Sequence, residues 1–280
     1  MADERLRDSE RQWGASGAVE DEVSVLRNRR HAGQLSEQEL RLAAALGSEA
    51  AQRVVGVPEL DIPEVHDNHS LIIWVNRVTV ATDLEEGIRL GLSSLREGLE
   101  LMDDSVLSTS IRQFFGQMER YWQRDEEVQR RELPLLNVWI NDLYALNDSH
   151  ESSQDSFLRL ILVALMDWML AVYGYRQEGE SADTSLRLRL NTVHSSVCRA
   201  FQDPAFGNRQ LTEKQAAERL WQRCRVDLLG RLLKHGEDPK VDQGEETQEI
   251  DISQFREQIG EQLATDSDSE DPTQSDSSER

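Results

Sequence analysis

Few residues in this chain have the type and spacing to do chemistry. His194 and Cys198 stand four positions apart, the interval at which an imidazole and a thiol meet on one helix face and the base can activate the nucleophile. The plainer reading leaves Cys198 at the border of an apolar stripe with His194 partly exposed beside it, and that is the expectation. His66 and His69 form an H-x-x-H flanked by Glu64 and Asp67. A metal site needs three or four ligands in suitable geometry, so no metal and no cofactor is expected there. The carboxylates Glu85, Glu86, Asp103, Asp104, Asp142 and Asp167 do not assemble into paired Glu-x-x-His sets. With no phosphate-binding loop, GxGxxG or nucleophile elbow, no catalytic residue is assigned.

Charge is the stronger signal. The chain carries a formal net charge of −22, and residues 237–280 alone hold 15 acidic and 3 basic residues, a net −12. Residues 184–235 run the other way, with 10 Lys and Arg against 4 Asp and Glu, a net +6. Arg187, Arg189, Arg199, Arg219, Arg223 and Arg231 are the candidate binding residues of that basic stretch, a positive surface for an acidic partner. The competing reading is a pair of amphipathic helices with Arg-rich polar backs. Nucleic acid is disfavoured as a partner, because phosphate contacts need clustered positive charge and the overall field has the wrong sign. In the acidic tail, Ile252, Phe255, Ile259 and Leu263 fall on one helical face at 250–263, and this short helix could compete for the basic surface.

The elements that position these residues read as helices throughout. The most apolar run is Phe157 to Tyr175, about 30 Å long as a helix. A carboxylate at its middle, Asp167, costs about 2.5–3.5 kcal/mol in a bilayer, so the run is expected as a buried helix rather than a membrane span. Asp167 itself is expected to be satisfied by a core Arg, a tryptophan or a tyrosine. Leu71 to Ala81 is rich in β-branched residues, yet Leu71, Trp74, Val75 and Val78 fit one helical face and no partner strand is evident, so helix is favoured. Ser36 with Glu39, Thr82 with Glu85, and Thr212 with Gln215 read as capping boxes, Ser48 as a further cap, and Pro134 as a first-turn residue. Gly236 reads as the stop of the helix that begins near Thr212. The stretch around Arg124 to Glu132 reads as solvated.

The domain plan is a charged segment at 1–16, frayed or weakly helical; a small helical module at 17–56; a linker at 57–69; a helical core at 70–236; and the tail at 237–280. That tail is too poor in apolar residues to offset chain entropy and is expected to be disordered. The run GAVEDEVSVLRNRRHAGQLSEQELRLAAALGSEAAQRVVG at 17–56 resembles a short module at the head of uncharacterised multi-helical bacterial proteins. Its half LAAALGSEAAQRVVG is similar to the Ala- and Gly-spaced half of tetratricopeptide-like repeats, although no fixed period recurs downstream. The resemblance implies a bacterial, helical, adaptor-like protein and carries over no catalytic residue.

The fold class is thus all-α: an irregular helical bundle or short α-solenoid with a disordered acidic tail. Two cysteines and no apolar leader point to a reducing, cytoplasmic setting. The function expected is non-enzymatic, an interaction or scaffold protein with an unidentified protein partner and no membrane. The alternatives are an enzyme whose site is assembled from residues far apart in sequence, and a binder of acidic partners or nucleic acid gated by the tail.

Overall fold

The computed structural model describes residues 2–56, 62–102, 106–149, 156–179, 183–204 and 210–234, and among them it contains twelve helices and no strand. In chain order these are α1 (Ala2–Ser16), α2 (Val19–His31), α3 (Glu37–Ala45), α4 (Glu49–Val55), α5 (Asn68–Ala81), α6 (Leu84–Glu100), α7 (Val106–Trp122), α8 (Glu126–Arg131), α9 (Leu133–Ser149), α10 (Ser156–Glu178), α11 (Asp183–Ala200) and α12 (Glu213–Leu232). The chain is all-α. No described helix is long and apolar enough to cross a membrane. The expected tail, including the 250–263 segment, lies outside the described residues.

Local chemistry starts several helices where the sequence says it should. Ser36 and Glu39 exchange hydrogen bonds in a capping box, as do Thr212 and Gln215, and Ser48 accepts from the Ala51 amide at 3.2 Å. Pro134 occupies the first turn of α9, where its missing N–H costs nothing. One cap differs from expectation. Thr82 donates its hydroxyl back to the Val78 carbonyl at 2.9 Å, and Asp83 caps α6 instead, accepting from the Glu86 amide at 2.7 Å. With one helix ending as the next begins, the Thr82 hydroxyl joins its own N–H on the Val78 carbonyl behind it and the Asp83 carboxylate takes the amide ahead.

The centre of the core is α10, with Ile161, Leu162, Ala164, Leu165, Trp168, Met169, Ala171 and Val172 all 0–1% exposed. It packs against α6, α9 and α11. What lets α6 approach α10 is the pair Gly91 and Gly98, while Gly87 and Ser94 on the same helix meet α5 and α11. A Cβ on Gly98 would stand 2.8 Å from Ile161 Cδ1, and one on Gly91 3.0 Å from Trp168 Cδ1. The Trp168 indole N–H donates to the Ile88 carbonyl of α6 at 2.9 Å, so the largest buried residue of α10 is both packed and bonded across the gap.

The stretch read as solvated is partly interior. Gln129 of α8 is 1% exposed: its amide N–H₂ donates to the Trp122 and Arg124 carbonyls at 2.8 and 2.7 Å, and its side-chain oxygen accepts from Arg176 Nε at 2.6 Å. The Tyr121 hydroxyl donates to the Gln129 backbone carbonyl at 2.7 Å. Arg176 also lies over the Trp122 and Tyr175 rings, 4.8 and 5.0 Å from their centroids. One glutamine in a charged run thus pins the α7–α8 turn to α10.

Helices α2 to α4 form a small core of Val23, Leu26, Leu35, Leu40, Ala43, Ala44, Ala50 and Ala51, which Leu233, just past α12, completes. Leu42 and Leu46 face the larger core. Rather than fraying, α1 lies on α2, with Leu6 4% exposed and Glu10 paired to Arg29 at 2.7 Å. Residues 62–67 of the expected linker have no regular structure, and Val65 is buried. The α12 helix stops at Leu232, ahead of Gly236. Arg29 donates to the Leu233 and Lys234 carbonyls, at 2.5 and 2.7 Å, and Lys234 takes a left-handed φ of 53°. A tertiary guanidinium, not a glycine, satisfies the terminal carbonyls here.

Candidate functional site

The six arginines singled out from sequence fall into three settings. Arg219, Arg223 and Arg231 line the side of α12 that faces α6. Arg219 Nε meets Glu97 at 2.5 Å, Arg223 reaches Glu97, Glu100 and Asp227 at 3.6, 3.3 and 3.3 Å, and Arg231 Nε meets Glu86 at 2.9 Å. Glu97 is only 6% exposed, so the seam is sheltered from solvent at that carboxylate, while Glu100 at its edge is exposed. On α11, Arg187 pairs with Asp183 at 2.6 Å and Arg189 with Asp167 at 3.1 Å, while Arg199 points outward and is exposed. Five of the six therefore already hold carboxylates of this chain. The seam joins α12 to α6, and the acidic partner that the arginines meet is internal.

Asp167, the charge on the central helix, is half-buried, and burial raises its pKa more than the Arg189 pair lowers it. Its charged form is thus disfavoured by folding. Asp167→Asn is expected to leave stability at neutral pH unchanged or slightly higher, measured by urea unfolding; a marked loss would show that the Arg189 pair outweighs the desolvation.

His194 turns away from Cys198. The ring is 0% exposed and faces α6, with Nδ1 2.7 Å from Ser94 Oγ; Ser94 Oγ lies 3.3 Å from Cys224 Sγ of α12, and that thiol is 3.5 Å from the Leu90 carbonyl. Read in one direction, the chain uses every donor: Nδ1–H to Ser94, the Ser94 hydroxyl to Cys224, the thiol to Leu90. The opposite reading would leave a buried Nε2–H with no acceptor. Nε2 has no hydrogen-bond partner, and an orphan acceptor is the commoner and cheaper state. We therefore assign the Nδ1–H tautomer. Enclosure pushes the His194 pKa down to about 4 and the Cys224 thiol up to about 12. Cys198 is likewise raised to about 12 by burial, and its sulfur accepts from Gln202. Neither thiol is a thiolate at neutral pH, and neither is a free nucleophile. What the trio does chemically is hold α6, α11 and α12 together through neutral hydrogen bonds.

Sequence reasoning missed Ser94 and Cys224 as partners of His194. A polar serine between Gly91 and Gly98 on an otherwise apolar face was the available signal. His66 is exposed, 3.4 Å from Glu64, and no group of three or more His, Cys, Asp and Glu that could hold a metal occurs among the described residues. Asp103, Asp104 and the Asp142 side chain lie outside the described residues. The candidates Ile252, Phe255, Ile259 and Leu263 lie outside them too.

Fold and site together define an all-helical protein whose titratable interior is either ion-paired or enclosed. No family model matches the chain, and no curated protein or solved structure is found to be similar to it.

Proposed function

We propose that this chain is a non-enzymatic interaction protein that offers helical surfaces to a protein partner. The observation that carries the reading is the outer side of α9. Its inner face buries Leu136, Trp139, Ile140 and Leu143, yet Leu135 and Val138 stand 50 and 46% exposed on one flank and Tyr144 42% exposed on the opposite flank. Three of the seven exposed large hydrophobics among the described residues lie on this one helix, which is more apolar around its circumference than its own packing requires. The closed His194 trio and the ion-paired arginines are further support, since they occupy in structural roles the groups an enzyme would have used. A bacterial, reducing cytoplasm fits the two free, buried cysteines and the resemblance of residues 17–56.

Leu135→Glu with Val138→Glu tests it. Both positions are half-exposed, so unfolding stability should change by no more than about 0.5 kcal/mol. The pair should remove one set of proteins from those captured by the full-length wild type. Identical capture by both baits would rule out this face and the reading that rests on it.

A further inference from the structure

A second surface lies on α5. Val80 is 70% exposed and Ile73 38%, seven residues apart on one face, with Arg77 exposed between them. Arg77 is paired with no carboxylate among the described residues, unlike the arginines of the α6–α12 seam. The result is an apolar, cationic, apolar stripe about 10 Å long.

Its location relative to the last described residue is fixed by two hydrogen bonds. Lys234 Nζ donates to the Gln34 carbonyl, and Arg29 holds the Leu233 and Lys234 carbonyls from α2. Four residues beyond Gln34, Gln38 Nε2 donates to the Ala81 carbonyl at 3.3 Å, next to Val80. The point where the chain leaves α12 is therefore fastened to Gln34 in the turn before α3, and the near end of the stripe to Gln38 in the first turn of α3.

Beyond Lys234 run 46 further residues, 15 of them acidic. Seventeen residues separate Lys234 from Ile252, a stretch able to span up to about 60 Å. Ile252, Phe255, Ile259 and Leu263 then recur at helical spacing over about 16 Å. We propose that residues 250–263 dock as an amphipathic helix along the outer face of α5. Their apolar anchors cover Val80 and Ile73, and their acidic residues surround Arg77. A helix this short is marginal alone, but tethering raises its effective concentration to about the millimolar range, which compensates for a small contact. The seat differs from the α11–α12 surface expected from sequence because five of the six arginines singled out there already have carboxylates. It is also separate from α9, so the two proposals stand or fall independently.

The native cysteines are both 0% exposed, which leaves engineered ones free to react selectively. Full-length chains carrying Gln262→Cys with Asn76→Cys, Leu188→Cys or Val226→Cys are treated with a short bis-maleimide, and intramolecular cross-links are followed over time. The α5 pair should react about tenfold faster than the α11 and α12 pairs, and adding Phe255→Asp or Arg77→Glu should bring it down to their rate. Circular dichroism checks that the bundle keeps its helices, and in the Phe255→Asp and Arg77→Glu variants the helix content should fall by no more than the 14 residues of the released segment. Equal rates at all three pairs would mean a tether with no preferred seat. Faster reaction at Leu188→Cys or Val226→Cys would place the segment on the basic helices, and cross-linked dimers would name a second copy as the occupant. Any of these overturns the proposal.

Discussion

Trp168→Ala is expected to lower unfolding stability by about 4 kcal/mol, a large share of the roughly 5–15 kcal/mol that holds a domain together. Three losses add. Trp168 is 0% exposed, so its removal leaves a cavity beside Gly91, whose missing side chain exists to admit the indole. The ring also stands edge-on to Trp122, with centroids 6.3 Å apart. Finally, the bond from Nε1 to the Ile88 carbonyl disappears. Trp168→Phe keeps most of the volume but loses the N–H, and should cost about 1–2 kcal/mol. Urea unfolding of the three proteins measures both steps. A loss under about 1 kcal/mol for Trp168→Ala would show that α10 is not the centre of the core.

Acid should destabilise the protein through His194. In the folded chain the imidazole stays neutral down to about pH 4, against an ordinary value of 6.5, because it is wholly enclosed and no charge compensates its protonated form. Between those values the unfolded chain binds a proton that the folded chain does not. Stability from this group is therefore complete above about pH 6.5 and is lost as pH falls toward 4, by about 3 kcal/mol in all. The ring is bonded to Ser94, and Ser94 in turn to Cys224, and neither holds a charge in this range. The seam of Glu86, Glu97 and Glu100 with Arg219, Arg223 and Arg231 joins the same two helices, α6 and α12. A comparison is therefore needed to isolate the histidine. His194→Leu should unfold with a shallower pH dependence than wild type between pH 6.5 and 4. Parallel curves would show that the ring is protonated in place at little cost and that the enclosed trio is not the source of the acid sensitivity.

These expectations rest on different kinds of legibility. Helix starts were readable because a cap is a contract among neighbours three residues apart: Ser36 with Glu39, Thr212 with Gln215. The error at Thr82 and Asp83 arose where two such contracts abut and the side chains divide the work. The helix over Leu71–Ala81 and the buried role of Phe157–Tyr175 were readable for a related reason, since periodicity reports which face is covered without saying by what. Gln129 was not readable, because a glutamine in a charged run becomes interior only when Arg176, 47 residues away, supplies the donor for its side-chain oxygen.

The sequence by itself determined that this protein is helical, where several helices begin, which faces are apolar and how unevenly charge is distributed. Tertiary structure alone decided who meets whom. It turned a His194 expected to be partly exposed into the enclosed partner of Ser94 and Cys224, converted a basic surface into the seam with Glu86, Glu97 and Glu100, and ended α12 on Arg29 rather than on Gly236. Caps and stripes are set by backbone geometry over three or four residues, and any chain with those residues repeats them. Partners 100 or more positions apart in sequence, such as Ser94 and His194, are set by how closely helices approach. In this molecule that distance is governed by glycines on α6 whose importance appears only when another helix lies against them.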